Sequence, residues 1–263
     1  MLSYQHDYHA GGPADVHKHG TLAIVLVKMV AKAKPMSYIE SHAGAGLYDL
    51  QSPMALKTGE ARNGIIRWLA RNEPDINHPY RRVVAQTQAR FGHHHYPGSP
   101  WIARWLLGAK DSVHLMELHK GTHARLKNVM MDDQRFHIHL RDSYEGVLAI
   151  LPPSPRRSLL VIDPSYEVKS EFMQAAHLVL AAHRKCPEAV IMQWYPLLRD
   201  DWHRPMCRML EQADLPKFCR REVRVAPPAS TRRMHGSGLM LVNLPYGVEA
   251  DLDRMDQGVP WED

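Results

Sequence analysis

The residues best suited to chemistry in this sequence stand together as Asp163-Pro-Ser-Tyr166, directly after an aliphatic run. A carboxylate, a turn fixed by proline and an aromatic ring at the end of a strand place a hydrogen-bond acceptor, a rigid carbonyl and a flat surface around one planar group. The exocyclic amine of adenine needs such a set. Its lone pair is delocalised into the ring, and hydrogen bonds from the amine to Asp163 and to the Pro164 carbonyl would localise it for attack on an electrophilic methyl group, with Tyr166 stacked on an extruded base. The same residue types occur in ordinary turns, so this reading depends on what accompanies them.

Three signals precede it in chain order. Glu40-Ser-His-Ala-Gly-Ala-Gly46 leaves a strand on small residues, where Gly44 and Gly46 let the backbone approach a nucleoside closely. Glu117 closes a second strand, the place from which an acid accepts hydrogen bonds from ribose hydroxyls. Asp142 follows a third and is placed to accept from the amino group of a nucleoside cofactor. A nicotinamide-binding oxidoreductase also has an early glycine turn, but it requires a third glycine, and Gly46 is followed by Leu47-Tyr-Asp49. A non-catalytic RNA-binding module is another alternative, which leaves the acids and Asp163 without a purpose, and an adenine methyltransferase acting on DNA is a third. Asn243-Leu-Pro-Tyr246 resembles an Asn-Pro-Pro-Tyr box, but it lies after the last strand and no proline directly follows its polar residue.

The frame that must position these residues is legible in the hydrophobic pattern. Short apolar segments over 37–41, 113–117, 136–140, 159–163 and 189–194 alternate with helical patterns over 16–32, 119–131, 143–150, 169–185 and 201–213. Strands alternating with helices predict an α/β fold with a mostly parallel sheet. Segments 217–225 and 238–244 flank a Pro/Ser/Arg/Gly loop with no helical pattern between them, which predicts a C-terminal antiparallel hairpin. About 70 residues separate the first two strands, against roughly 30 in a single βα unit. Residues 51–96 are therefore expected to form an inserted small helical subdomain over the strand ends, with helices at 60–71 and 80–91 and a loop at 93–100 leading to a helix from Trp101. Residues 1–50 and 97–263 would form the main domain.

At this level of detail the sequence resembles the large-subunit ribosomal RNA adenine-N6 methyltransferase J family. The likeness rests on Met1-Leu-Ser-Tyr-Gln-His-Asp-Tyr-His-Ala-Gly11, Ala14-Asp-Val-His-Lys-His19, His42-Ala-Gly-Ala-Gly46, Tyr96-Pro-Gly-Ser-Pro100, Glu117-Leu-His119 and Asp163-Pro-Ser-Tyr166, and covers nearly the whole chain. It implies a Rossmann-like class I methyltransferase with a seven-stranded sheet, S-adenosylmethionine as cofactor and 23S ribosomal RNA, naked or in early assembly, as substrate. By the same likeness Lys18, His19, His42, Ser99, Glu117, Asp142 and Ser143 line the cofactor site, Asp163 is the catalytic acceptor, and Tyr4 and His6 touch the RNA or gate the target base. The family commonly has proline where Ser165 stands, asparagine where Gly12 stands and glycine where Ser143 stands.

Composition agrees with such a partner without requiring it. Among 263 residues, 44% are hydrophobic and 23% charged, which excludes a disordered class, and the formal charge is +5. The most apolar stretch, 21–33, is interrupted by Lys28 and too short to span a bilayer, and residues 1–12 lack the apolar centre of a signal peptide. Cys186, Cys207 and Cys219 form no C-x-x-C pair. A monomeric cytoplasmic protein is expected. The basic groups Arg156-Arg157, Arg220-Arg221 with Arg224, and Arg232-Arg233 are candidate phosphate contacts. Eighteen histidines, with His93-His94-His95 in a row, show no metal-ligand spacing, so no metal is expected.

Overall fold

The alternating pattern becomes a seven-stranded sheet in the computed structural model, which describes residues 4–71, 78–224 and 234–260. In chain order the elements are α1 (Pro13–Val30), β1 (Ser37–Glu40), β2 (Leu47–Asp49), α2 (Pro53–Thr58), a π-helical turn (Arg62–Ile66), α3 (Arg67–Ala70), α4 (Pro79–Phe91), β3 (His95–Pro97) and α5 (Ser99–Leu106). There follow β4 (Ser112–Met116), α6 (Lys120–Met130), β5 (Phe136–His139), α7 (Ser143–Ile150), β6 (Ser158–Ile162) and α8 (Ser170–Lys185). The chain then passes through β7 (Val190–Leu198), α9 (Arg204–Glu211), β8 (Cys219–Arg224), β9 (Met234–Val242) and α10 (Glu249–Gly258).

The spatial order is β5-β4-β1-β6-β7-β9-β8. β1 pairs in parallel with β4 on one side and β6 on the other, so the strand order reverses at β1 and leaves a crevice beyond its carboxyl end. β9 runs antiparallel between β7 and β8, which is the expected hairpin. Alternation along each strand divides the core in two: Tyr38, Leu159 and Val161 face α1, while Ile39, Leu160 and Ile162 face α7 and α8. β6 is buried at every position, as befits a strand covered on both faces.

Four local features depart from the sequence pattern. The stretch 60–71 breaks at Gly64, whose φ of −98° and ψ of −109° are not helical. A Cβ there would lie 2.0 Å from the Gly11 carbonyl oxygen, so the approach of the N-terminal segment dictates both the glycine and the break. Residues 95–97, read as loop, pair with β2 through Leu47↔Pro97, Tyr48↔Tyr96 and Asp49↔His95. β7 continues past Trp194 to Leu198 because β9 supplies a partner along that length. Helices α2 and α10 have no counterpart in the periodicity. Segment 51–96 packs along α1 through α4 and the π-helical turn, and meets the crevice with Thr58 and Glu60.

Candidate active site

The carboxyl ends of β1, β4, β5 and β6 bring the four sequence signals to one place. After β1 the chain turns through Gly44, at φ +63°, where a Cβ would meet the Tyr48 hydroxyl at 2.4 Å. Glu117 accepts from Gly44 N at 3.1 Å and from His119 N at 2.8 Å, one bond to each carboxylate oxygen. The remaining lone pairs are left for a ligand. Burial pushes the Glu117 carboxyl above its ordinary pKa, partly opposed by the His119 and Gly44 amides. Asp142 caps α7 by accepting from Tyr144 N and Glu145 N at 3.0 and 3.2 Å.

These residues line a cavity of about 170 Å³ together with Tyr4, His6, Lys18, His19, His42, Ser99, Ser143, Asp163 and Pro164. Gly46 is not among the lining residues. At φ +78° it shapes the turn from beneath: its carbonyl accepts from Gly98 N at 2.9 Å, and a Cβ would press on Leu126.

Asp163 follows β6 and meets Lys18 Nζ at 2.6 Å. Lys18 comes from the first half of α1 and also reaches Asp15 Oδ1 at 3.1 Å, one helical turn away. The other oxygen of Asp15 accepts from Gly11 N at 3.0 Å and lies 2.9 Å from His6 Nε2, whose Nδ1 is 2.9 Å from the Tyr4 hydroxyl. Burial alone would discharge Lys18, but Asp163 and Asp15 outweigh it and hold the ammonium above the usual lysine pKa. Burial likewise opposes ionisation of Asp15, and its contacts with His6 and Lys18 outweigh it, holding its pKa well below the carboxylate range.

A second cavity, of about 500 Å³, opens on the far side of this group. Tyr4, His6, Lys18, Asp163 and Ser165 line both cavities; Trp194, Pro196, Leu198 and Met234 give the second an apolar side, and His9, Thr58 and Glu60 a polar lip. Tyr166, at φ +53°, forms part of its floor. The ring packs on Phe172 at 4.3 Å between centroids and on Trp194 at 5.9 Å, and its hydroxyl donates to the Trp194 carbonyl at 2.6 Å. It is 4% exposed, so the broad stacking surface expected of it is largely covered by protein.

Residues 33–261 match the family described as "Ribosomal RNA large subunit methyltransferase D, RlmJ". The chain belongs to this family. It is 34% identical to the ribosomal RNA large subunit methyltransferase J of Escherichia coli (strain K12), over 99% of this chain and 92% of that protein. It is 32% identical to the protein of the same name from Haemophilus influenzae, over 97% and 92%. A crystal structure of a Legionella pneumophila protein superposes with a TM-score of 0.86 at 31% identity, covering 95% of this chain and 92% of that one. The RlmJ-family chain is thus a methyltransferase built on a Rossmann-like sheet.

Against the first cavity lies a buried polar layer in which Ser99, His19 and His42, named for the site from the sequence, are joined by Glu40, Tyr38 and Tyr80, which were not. Glu40, fully buried, accepts from Ser99 Oγ and from the Tyr38 hydroxyl, the latter at 2.9 Å, and burial raises its pKa to about 8. His19 Nδ1 lies 2.7 Å from the Tyr96 hydroxyl, which is 2.7 Å from that of Tyr80; burial pushes His19 down to about 3 and His42 to about 4, so both are neutral. Asp15 could have been noticed, because its i, i+3 spacing to Lys18 puts both on one face of a helix. Glu40, Tyr48, Glu60 and Trp194 had no local signal.

Other candidates lie elsewhere. Asn243 follows β9, whose Val242 is level with Ile191 at the start of β7, so the Asn-Leu-Pro-Tyr box sits at the amino edge of the parallel strands. Its Nδ2 donates to the Pro187 and Ala189 carbonyls at 2.7 and 2.8 Å. Arg156 and Arg157, candidate phosphate contacts, precede β6 at that same edge and line neither cavity. Arg156 is paired with Glu188, and Arg157 donates to the Lys34 and Met29 carbonyls. Arg220 is held by Glu211 and Glu222, and Arg221 by Asp253 and Asp256. Arg232 and Arg233 lie outside the described residues. Among the described residues no group of three or more His, Cys, Asp or Glu side chains is arranged to hold a metal, and no helix is long and apolar enough to cross a membrane.

Proposed function

We propose that this chain transfers the methyl group of S-adenosylmethionine to N6 of an adenine in 23S ribosomal RNA. The observation that carries the reading is the shared wall: Asp163, Lys18, Tyr4, His6 and Ser165 face a cavity of about 170 Å³ bordered by Glu117 and Asp142 on one side and a wider, partly aromatic cavity on the other. The first suits the cofactor and the second an extruded base, so that donor and acceptor meet at Asp163. The printed names of the E. coli and H. influenzae relatives supply the large-subunit ribosomal RNA.

The donor set fits the cofactor. Glu117 retains lone pairs for a ribose diol, Asp142 and Ser143 stand at the start of α7 to take the adenine edge, and the turn at Gly44 leaves backbone free to approach. Neutral His42, His19 and Ser99 complete the wall. When bound, the cofactor supplies an electrophilic methyl group. Asp163 accepts a hydrogen bond from the adenine amine, the Pro164 carbonyl accepts a second, and both strengthen as positive charge develops on the nitrogen; once the N–C bond has formed and the sulfonium S–C bond has broken, the surplus proton of the amine is lost to solvent. Trp194 and the exposed edge of Tyr166 bear on the base, and Tyr4 with His6 closes over it. Lys18 holds the Asp163 carboxylate in one orientation.

In the same reading, segment 51–96 is an inserted helical subdomain whose Thr58 and Glu60 border the RNA entrance, the substrate is naked or early-assembly RNA, and the protein works as a cytoplasmic monomer. The decisive experiment is mass mapping of ribosomal RNA from cells lacking the protein, followed by restoration in vitro with purified protein and S-adenosylmethionine. One monomethyladenine lost and then restored supports the proposal, and an unchanged 23S map overturns it.

A further inference from the structure

Lys18 is the cation at the centre of the site, yet it is shared between two carboxylates, Asp15 buried beside it and Asp163 half-buried at the cavity wall. Asp15 is 3% exposed; it borders the second cavity, but the chemistry above gives it no contact with adenine or cofactor. Its contacts are with Lys18 Nζ at 3.1 Å, His6 Nε2 at 2.9 Å and Gly11 N at 3.0 Å, with His19 Nε2 farther off at 3.9 Å. Lys18 directs its ammonium to Asp163 at 2.6 Å and lies 5.5 Å from the centre of the Trp194 ring. One carboxylate thus binds the cation that grips Asp163, the imidazole that borders both cavities, and the glycine turn that leads the N-terminal segment into α1.

We propose that Asp15 is a positioning residue that sets how strongly Asp163 can act. The inference rests on Asp163 being the acceptor of the adenine amine. With one ammonium on one buried carboxylate, the pair would be neutral, and Asp163 would offer little field to a nitrogen gaining positive charge. With Asp15 as the second acceptor, Asp15, Lys18 and Asp163 together carry one net negative charge on the wall where that positive charge develops. Low polarity around the buried group makes this net charge count for more than it would in water.

The test is a double-mutant cycle on the full chain, read by single-turnover methylation of unmodified 23S ribosomal RNA and by calorimetric S-adenosylmethionine binding to the RNA-free protein. Asp15→Asn keeps the shape and removes the charge. It should slow methyl transfer on the order of 10- to 100-fold, with cofactor Kd and the KM for RNA each within about threefold of wild type. Asp15→Glu, which keeps the charge on a longer arm, should recover part of the rate, and guards against a fold defect in the Asn variant. In a Lys18→Met background the cation to be shared is gone, so adding Asp15→Asn should change the rate by less than about threefold. Additive losses in the double variant, or a full rate in Asp15→Asn, would overturn the role of Asp15 while leaving the methyltransferase reading in place. A wild-type protein with no transfer to any adenine of the RNA overturns both.

Discussion

The two edges of the parallel sheet use the same residue types to opposite ends. At the amino edge, Arg157 and Asn243 direct their hydrogen-bond donors at backbone carbonyls of Lys34, Met29, Pro187 and Ala189, and Arg156 closes on Glu188. Those side chains tie loops together and have no lone pair or charge directed at a cavity. At the carboxyl edge, Asp163, Lys18, Asp15 and His6 bond to one another, and two cavities open on them. A polar group that saturates backbone is structural, whereas one held by other side chains beside open space keeps capacity for a ligand. The Asp-Pro-Ser-Tyr and Asn-Leu-Pro-Tyr boxes look alike as strings. Strand direction separates them, because β6 ends at the carboxyl edge and antiparallel β9 ends at the amino edge.

The sharpest way to break that contrast is to exchange the two boxes' roles by truncation. Asp163→Ala should reduce single-turnover methyl transfer on the order of 10²- to 10³-fold, with Asp163→Asn falling between it and wild type. Asn243→Ala should leave the rate unchanged but destabilise the fold by about 1–3 kcal/mol, since two carbonyls lose their donor. A slow Asn243→Ala enzyme of normal stability, beside a fast Asp163→Ala one, would reverse the assignment. A step smaller, Glu117→Ala should weaken S-adenosylmethionine binding by about 1.5–3 kcal/mol for each charged hydrogen bond lost. Unchanged affinity by calorimetry would remove Glu117 from the cofactor cavity.

Buried acid behind the carboxyl edge sharpens the comparison through pH. Glu40 has a folded pKa of about 8 against an ordinary value of 4.5, so the folded chain keeps a proton that the unfolded chain has released. Its contribution to stability is complete below about 4.5 and is lost as pH rises toward 8, with a slope of up to about 1.4 kcal/mol per pH unit. Glu40→Gln should therefore gain on wild type in denaturant melts as pH rises through that window, and parallel curves would show that Glu40 is ionised in the fold. The smallest effect belongs to the other edge. Replacing Arg156 and Arg157 with glutamine should leave the salt slope of RNA binding unaltered, because neither faces the cavities; a slope reduced by one or more contacts would place RNA on the amino edge.

Much of the site could be read without coordinates because its signals are local. Glu117, Asp142 and Asp163 each follow a short apolar run, and in a parallel sheet every such run ends at the same edge, so their order in the chain becomes proximity in space. The same logic covers the antiparallel hairpin, where two strand patterns are joined without a helical one. It fails for Tyr166, whose ring is turned by a positive φ onto Phe172 and Trp194, and for Gly46, which supports the cavity without reaching it. It fails also for residues 95–97, since a three-residue ladder carries no periodicity of its own.

The alternating sheet, the edge at which the acids gather and the small-residue turn after β1 are all consequences of hydrophobic period and strand polarity, and so are legible in the chain alone. The tertiary structure alone decided which charges meet. Lys18 and Asp163 are 145 positions apart, Glu40 and Ser99 are 59 apart, and His9 and Glu60 are 51 apart. The physical reason is that pattern records only whether a side chain faces the core. Which buried charge receives which partner depends on how α1 crosses the sheet, and in a low-dielectric interior that pairing keeps Lys18 and Asp15 charged.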